Sequence, residues 1–274
     1  MPEGPEVLQI SSSLNKLLKN KTLFKIDILE DGKYEKKAPN NYQLFINHLP
    51  LKVDYIKAKG KIIYWLFSNG NVMLNHLKMT GYWGFEKEKH SALRFVFKDK
   101  NNEKLKLYYT DVRRFGRLEF GKRFSNIKEF LDKLGPDVLN DLSFSFKKFK
   151  EIVEKKKRTN ITRFLMDQEN ISGIGNYLKA EILYESKISP HRTIGNLDEK
   201  ELKILYDNIK KIPKLSYHWK GMSKSDYKDI DGKKGDFEKF LKVYCQDKDP
   251  VGNKVIREKT KDGRTTYWVP DIQI

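Results

Sequence analysis

Cysteine is almost missing from this sequence, because Cys245 is the only one among its 274 residues. A single thiol excludes an internal disulfide and a zinc site built from several cysteines. No apolar run approaches the ~20 residues that cross a bilayer, and the N-terminus has no basic segment leading into an apolar core. The sequence therefore predicts an intracellular protein of the cytoplasm or nucleus, without a secretory signal or a membrane span.

Acidic residues are too few to balance the basic ones. The chain has 55 Lys and Arg against 37 Asp and Glu, which gives a formal net charge of +18. This excess favours a polyanionic partner, above all a nucleic acid. A lysine-rich solvated surface is the alternative. A membrane surface is disfavoured, since no basic amphipathic helix with a large apolar face can be found.

The periodicity of apolar residues divides the chain into two halves. Residues 5–19 follow a helical spacing, and residues 22–120 follow a strand pattern with a hairpin turn at Asn69-Gly70-Asn71. The predicted helices beyond residue 121 are 126–134, 144–156, 159–167, 175–186 and 198–212. The composition of 216–235 indicates a polar, mobile loop, and the tail predicts a β-hairpin that turns at Asp262-Gly263.

These patterns predict an α+β protein of two domains. Residues 1–121 would form an N-terminal helix and an antiparallel β-sandwich. Residues 122–274 would form a helical domain that ends in a β-hairpin segment, the finger, at about 242–274.

The first residues contain groups suited to imine chemistry. Removal of Met1 would make Pro2 the chain end, with a secondary amine that titrates near pKa ~8. Glu3 and Glu6 follow closely and could move protons. A secondary amine forms an iminium that cannot lose a proton to become a neutral imine, so it stays a strong electron sink. The alternative is that Pro and Glu merely favour a first helical turn.

Six segments in order resemble the formamidopyrimidine-DNA glycosylase / endonuclease VIII family, and the resemblance covers the whole chain. The segments are Pro2-Glu3-Gly4-Pro5-Glu6, Lys59-Gly60-Lys61, His76-Leu77-Lys78-Met79-Thr80-Gly81, Asp111-Val112-Arg113-Arg114-Phe115-Gly116, Gly173-Ile174-Gly175-Asn176 and Gly232-Lys233-Lys234-Gly235-Asp236-Phe237. The family's helix–two-turn–helix motif resembles Leu165-Met166-Asp167-Gln168 together with the fifth segment and its continuation to Leu183. The resemblance implies that the second domain is a helix–two-turn–helix domain.

The finger departs from the pattern of most bacterial members, which end in a four-cysteine zinc finger. The last cysteine pair would fall at Val269 and Ile272, and the first pair is missing around Asp249-Pro250-Val251-Gly252. The tail is similar to the zincless finger of the endonuclease VIII-like branch, which implies a hairpin that forms without metal.

The resemblance implies four catalytic residues. Pro2 would attack C1′ of a damaged nucleotide, Glu3 would be the general acid and base, and Glu6 would hold and polarise the site. Lys61 would contact the phosphate beside the lesion. Without the resemblance, the sequence would predict that Lys61 is an ordinary lysine at the end of a strand.

The resemblance also implies six DNA-binding residues. His76 lies in the third segment, Asn176 follows a tight turn into a helix whose backbone N–H groups suit a phosphate, and Arg264 would clamp a second phosphate from the hairpin tip. Met79, Arg113 and Phe115 would fill the gap left by a flipped base. The alternatives are core positions for Met79 and Phe115 and a plain exposed arginine at 264. The basic run at 155–158 predicts a solvated patch that aids association with DNA, and a nuclear-localisation signal is its alternative.

The sequence thus predicts a bifunctional DNA glycosylase and AP lyase. It would excise oxidised pyrimidines, hydantoins or formamidopyrimidines through a Pro2 iminium and nick the strand by β,δ-elimination. Its partner would be damaged DNA, duplex or also single-stranded, and it would act as a monomer without metal or other cofactor. The alternatives are a catalytically inactive damaged-DNA-binding protein on the same scaffold and an unrelated basic helical adaptor.

Overall fold

The computed structural model describes residues 2–121, 124–222 and 235–274, with residues 124–126 described by their backbone alone. Chain contacts divide it into two compact units. The first comprises Met1–Pro2, Glu6–Lys133 and Met222–Gly235, and the second comprises Glu3–Pro5, Leu134–Gly221 and Asp236–Ile274. The domain limits 1–121 and 122–274 stay a prediction, because compactness alone does not show that a segment folds by itself.

The first unit is built on an antiparallel sheet. Its elements are α1 (Gly4–Leu18), β1 (Thr22–Ile28), α2 (Tyr42–Ile46), β2 (Leu51–Lys59), β3 (Ile62–Phe67), β4 (Val72–His76), β5 (Gly81–Gly84), β6 (Ser91–Lys98), β7 (Lys104–Asp111), β8 (Arg117–Gly121) and α3 (Phe124–Asp132). The strand order is β5-β7-β6-β1-β2-β3-β4-β8.

The sheet folds over on itself around an aromatic core. Trp65 of β3 stacks on Phe95 and Phe97 of β6 with ring centroids 6.3 Å apart, although β1 and β2 lie between these strands in the sheet order. Val7 and Ile10 of α1 add their apolar face to the same core. The alternation of buried and half-exposed residues in β3 is the pattern of a strand with one face inward. The predicted antiparallel sandwich is confirmed.

The second unit is helical and ends in a small hairpin. Its elements are α4 (Phe146–Lys155), α5 (Ile161–Met166), α6 (Asn176–Glu185), α7 (Glu199–His218), β9 (Ile256–Lys259) and β10 (Thr265–Trp268). Helix α7 begins at a capping box in which Asp198 accepts from the Glu201 N–H and the Glu201 side chain accepts from the Asp198 N–H. The predicted α+β class with a terminal hairpin is confirmed.

Helix α7 is longer than the predicted helix 198–212. It continues to His218 through Pro213, which cannot donate a helical hydrogen bond. Ile212, Pro213 and Ser216 are buried, so packing outweighs the local cost of the proline. The predicted mobile loop 216–235 is therefore wrong at its start, and its residues 223–234 lie outside the described residues.

Helix α2 has only five residues, too few for apolar periodicity to reveal it. No described helix combines the length and the apolar character that crossing a bilayer requires.

Candidate functional site

The second unit holds Glu3 at the N-terminus of α6. The Glu3 carboxylate is 2% exposed and accepts backbone N–H groups of Gly175 at 2.7 Å, Tyr177 at 3.0 Å and Leu178 at 3.2 Å. These donors are the ones that a helix leaves without partners in its first turn. A carboxylate of the same chain therefore occupies N–H groups at the helix end where a DNA phosphate was expected, and the phosphate contact of Asn176 stays a prediction.

Gly175 allows this close approach. A Cβ atom at this position would lie 2.2 Å from Cδ of Glu3, and the φ of Gly175 is an ordinary −124°, so space and not backbone torsion requires the glycine. The chain is fastened again one residue later, where the Gly4 N–H donates to the Gly173 carbonyl at 2.8 Å. Glu3 is therefore held in one place by the loop that leads into α6.

Pro2, Glu6 and Lys61 belong to the first unit. Pro2 is buried, and Glu6 is 1% exposed and accepts the Met222 N–H at 2.8 Å. Lys61 directly precedes β3 and is 7% exposed. A lysine this deeply buried is unusual for the end of a surface strand, which speaks against the ordinary interpretation of Lys61.

His76 is fixed as a neutral hydrogen-bond donor. Its Nδ1 accepts the Lys78 N–H at 3.0 Å, so the neutral ring carries its proton on Nε2. Burial, followed by the charges of Lys78, Lys61 and Arg117, lowers the pKa of His76 to about 3. His76, Lys78 and Arg117 also line a cavity of about 200 Å³. The carboxylate-bearing Glu119 lines the same cavity, so its lining carries both cationic and anionic side chains.

Three predicted DNA-contacting side chains lie together at the ends of two loops of the first unit. Met79 is 38% exposed and Phe115 is 51% exposed, so the core alternative is wrong for both. Arg113 lies between them: its Nη1 is 3.2 Å from the Met79 Sδ, and its guanidinium carbon is 5.0 Å from the centroid of the Phe115 ring. Exposed apolar groups around a cation form a surface suited to stacking on bases.

A buried network supports these loops from below. Thr80 Oγ1 donates to Asp111 Oδ1 at 2.7 Å, the Gly116 N–H donates to Asp111 Oδ2 at 2.6 Å, and the Arg113 N–H donates to Thr80 Oγ1 at 2.9 Å. Thr80 and Asp111 are 3% and 0% exposed. Sequence reasoning gave these two residues no role, although an aspartate at the last position of a buried strand is a usable signal.

Asn176 and Arg264 lie in the second unit near the hairpin. The Asn176 side-chain amide donates to the Thr265 carbonyl at 2.9 Å, and the neighbouring Arg264 is exposed. Arg264 lines an open cleft of about 680 Å³ together with the cationic side chains of Lys156, Arg163 and Lys261. Lys156 comes from the basic run at 155–158, so at least one residue of that run shares the cleft with Arg264.

The finger is held by hydrogen bonds. The Asp249 carboxylate accepts the N–H groups of Val251 and Asn253 and the hydroxyl of Tyr184. Gln273 accepts the Val269 N–H at 2.7 Å and donates to the Ile188 carbonyl at 2.9 Å. Within the described ranges, His, Cys, Asp and Glu side chains form no group of three that could hold a metal ion.

Family models match three successive parts of the chain. The N-terminal domain of formamidopyrimidine-DNA glycosylase matches residues 1–118, its H2TH domain matches 134–227 and its C-terminal domain matches 228–274. Formamidopyrimidine-DNA glycosylases of Mycoplasma genitalium and Ligilactobacillus salivarius are each 32% identical to the chain. All of this chain is covered in both comparisons, with 96% of the first relative and 99% of the second.

Solved structures give the same result. The MutM (Fpg) protein of Thermus thermophilus has a TM-score of 0.84 at 26% identity and covers 99% of this chain and 98% of its own. MutM in complex with DNA containing carbocyclic 8-oxo-G has a TM-score of 0.85 at 26% identity, with 99% of both chains covered. From its first residues to its hairpin, the chain belongs to the formamidopyrimidine-DNA glycosylase family of DNA glycosylases.

Proposed function

We propose that this protein is a bifunctional DNA glycosylase and AP lyase that uses Pro2 as its nucleophile and Glu3 as its proton carrier. The observation that carries the proposal is the Glu3 carboxylate, which is buried and held by three backbone N–H groups directly after Pro2 in the chain. A carboxylate fixed this firmly, beside an amine that becomes the chain end once Met1 is removed, suits acid–base work on an imine.

The glycosylase step exchanges one C–N bond for another. The Pro2 nitrogen forms a bond to C1′, the bond from C1′ to the base breaks, and the base leaves with the bonding electrons and takes up a proton. The ammonium proton of the attached proline passes to Glu3, which delivers it to O4′ as the C1′–O4′ bond breaks. The nitrogen lone pair then forms the C=N bond of the iminium.

The lyase step uses the iminium as an electron sink. Loss of a C2′ proton pushes electrons toward the nitrogen and expels the 3′ phosphate, and a second elimination expels the 5′ phosphate. Water then hydrolyses the C=N bond and restores the Pro2 amine. The products are a one-nucleotide gap with phosphate at both ends and the remnant of the sugar.

Four residues are proposed to hold DNA phosphates: Lys61, His76, Asn176 and Arg264. Lys61 and Arg264 supply charge, while the Nε2–H of His76 and the amide of Asn176 supply neutral donors. Glu6 is proposed to stabilise the arrangement around Pro2 through its bond to the Met222 N–H. Phosphate contacts add affinity that depends on salt and not on base sequence.

Met79, Arg113 and Phe115 are proposed to replace the flipped nucleotide. Phe115 would wedge between bases, Met79 would fill the gap, and Arg113 would bond the orphaned base. Their exposure and mutual contacts support this role, since they are already grouped on the described surface of the first unit. Extrusion of a base costs a few kcal/mol, which such contacts offset.

The substrate class is proposed from the relatives and from the finger. The name that the relatives share points to formamidopyrimidines, and the metal-free pattern of the finger favours oxidised pyrimidines and hydantoins. We place the enzyme in the interior of the cell, bound to DNA as a monomer and without a cofactor.

Borohydride trapping tests the chemistry. Untagged protein without Met1 should form a covalent adduct with an abasic-site duplex when the iminium is reduced, and peptide mapping should locate the adduct on Pro2. Pro2→Gly and a form that retains Met1 should bind the same duplex but give at most a small fraction of the adduct.

A damaged-DNA-binding protein without activity would bind the duplex, leave the DNA uncut and form no adduct. That result, or an adduct mapped to a lysine, would refute the proposed nucleophile. A panel of duplexes with one defined lesion each, scored for cleavage ends, then ranks the substrates.

A further inference from the structure

Helix α6 carries a buried lysine that the proposed reaction does not use. Residues 177–183 of this helix are all buried, and the Lys179 side chain is 0% exposed. Burial of a cation is costly unless a counter-charge and hydrogen bonds compensate it. An apolar residue would pack in the same place at less cost, so a specific partner is expected.

That partner is Asp262, in the turn between β9 and β10. Lys179 Nζ lies 2.7 Å from Asp262 Oδ2, and the Asp262 side chain is 3% exposed. The other carboxylate oxygen accepts the Thr260 hydroxyl at 2.6 Å, and Thr260 Oγ1 lies 2.6 Å from Thr266 Oγ1. The turn therefore encloses a connected polar network that includes a buried ion pair.

This network surrounds Arg264. The Thr260 N–H donates to the Arg264 carbonyl at 3.1 Å, and the Gly263 N–H donates to the Thr260 carbonyl at 2.8 Å. Helix α6 contacts the turn on both sides of Arg264 in the chain, through Lys179 to Asp262 and through Asn176 to the Thr265 carbonyl. The backbone of Arg264 is fixed relative to α6, while the residue as a whole is exposed.

The charges of Lys179, Asp262 and Arg264 are consistent with this arrangement. Burial lowers the pKa of Lys179, the Asp262 carboxylate opposes that effect, and the nearby Arg264 lowers it further. Burial alone would raise the pKa of Asp262, but hydrogen bonds from Lys179 and Thr260 outweigh it and hold this pKa below its usual value. Asp262 thus neutralises Lys179 and leaves the charge of Arg264 available to an outside anion.

We propose that Lys179 and Asp262 form a positioning pair that holds Arg264 in register with Asn176 for contact with the DNA backbone. The inference rests on the proposed role of Arg264 as a phosphate contact. Neither partner of the pair touches DNA in this scheme. Both affect Arg264 indirectly, because they fix the backbone of the turn that carries it.

The test is a coupling experiment on the full-length protein. Lys179→Met and Asp262→Asn are combined, so that the net charge is unchanged and neither partner is left alone in the interior. Arg264→Ala is then made in the parent and in this double variant. Binding to a duplex with a tetrahydrofuran abasic analogue is measured from 50 to 200 mM salt.

In the parent, Arg264→Ala should make the slope of log K against log salt shallower by about 0.9. In the double variant the slope should already be shallower by that amount, and Arg264→Ala should add less than a twofold change in Kd. Amide hydrogen exchange should be faster in the turn 260–265 and unchanged in α7, which also shows that the variant is folded.

The matched control is an exposed pair of the same residue types, Lys203 and Asp207, which are 50% and 54% exposed on α7. Lys203→Met with Asp207→Asn should leave the full effect of Arg264→Ala in place. If Arg264→Ala weakens binding equally in the parent and in the Lys179/Asp262 variant, the positioning role is refuted. If it has no effect even in the parent, the phosphate contact of Arg264 itself is refuted, and the inference with it.

Discussion

The hydroxyl of Thr80 donates a 2.7 Å hydrogen bond to the carboxylate of Asp111, and this bond joins the loop of Met79 to the loop of Arg113 and Phe115. Both partners are buried, so neither is itself available to DNA. We infer that the exposed residues act as one preassembled unit because this pair fixes their backbones.

Thr80→Val and Asp111→Asn should separate the loops. Each leaves a buried polar group without its partner, at a cost of about 1–3 kcal/mol in unfolding free energy. Excision from duplex DNA should fall more than cleavage of a single-stranded abasic site, because only the duplex requires a base to be flipped. Parallel rate measurements on the two substrates check this. Thr80→Ser keeps the hydroxyl and should behave as the parent, and an equal loss on both substrates would contradict the expectation.

Phe115→Ala should reduce excision from duplex DNA by roughly tenfold or more, with little effect on stability, because a wedge worth a few kcal/mol is removed from an exposed position. The measurements are single-turnover excision and thermal unfolding. Phe85→Ala is the matched control, since Phe85 is 39% exposed in another loop of the first unit. Equal losses in the two variants would show that Phe115 has no special role.

Glu3→Gln should lower the excision rate by about 10²–10⁴-fold, the usual contribution of a general acid–base group. The amide has one acceptor oxygen, so at least one N–H group at the start of α6 loses its partner. Abasic DNA should still bind, and a Kd measured together with the rate separates a loss of chemistry from a loss of DNA binding. Glu169→Gln, an exposed change in the loop before α6, should leave both unchanged. A Glu3→Gln enzyme with near-parent rates would exclude Glu3 as the proton carrier.

His76 should stay neutral from pH 8 to pH 5, because burial and neighbouring cations lower its pKa to about 3. Its folded pKa lies below the value of 6.5 in an unfolded chain, so its contribution to stability is complete above pH 6.5. This contribution is lost as the pH falls from 6.5 towards 3. ¹⁵N NMR of the imidazole should show the Nε2–H tautomer throughout the upper range. An imidazole that titrates near pH 6.5 would disprove this assignment.

Chelators should leave the melting temperature and activity unchanged, because the finger is held by the hydrogen bonds of Asp249 and Gln273. Asp249→Asn should lower the unfolding free energy by about 1–3 kcal/mol through lost acceptors at a buried position. Thermal melts with and without EDTA check the first point and melts of the variant check the second. A lower melting temperature in EDTA would reveal a structural metal.

The sequence predicted the parts of this fold that depend on local pattern. The strand pattern predicted over 22–120 covers β1 to β8 without giving the limits of each strand, and helical spacing located α4 to α6 within two residues at each end. The end of α7 was missed, because Pro213 is tolerated only when tertiary packing supports it. Helix α2 was missed since five residues carry no usable period.

The candidate site likewise has one part that sequence motifs predict and another part that depends on tertiary contacts. The order of the motifs indicated the side chains with proposed chemistry, from Pro2 to Arg264. The residues that hold them were not found, because Thr80 pairs with Asp111 and Lys179 pairs with Asp262 across long stretches of chain. The partner of Glu3 was also missed: a free helix end was expected, whereas the carboxylate 172 residues earlier in the chain occupies it.

The close approach at Gly175 offers a way to silence the enzyme without altering any reacting group. A single methyl group there would overlap Cδ of Glu3 and displace the carboxylate from the backbone N–H groups at the start of α6. Gly175→Ala should therefore yield a variant that still binds damaged DNA but does not cleave it. Such a variant would allow crystallography of the complex with uncut substrate, because Pro2, Glu3 and the other proposed site residues are not substituted.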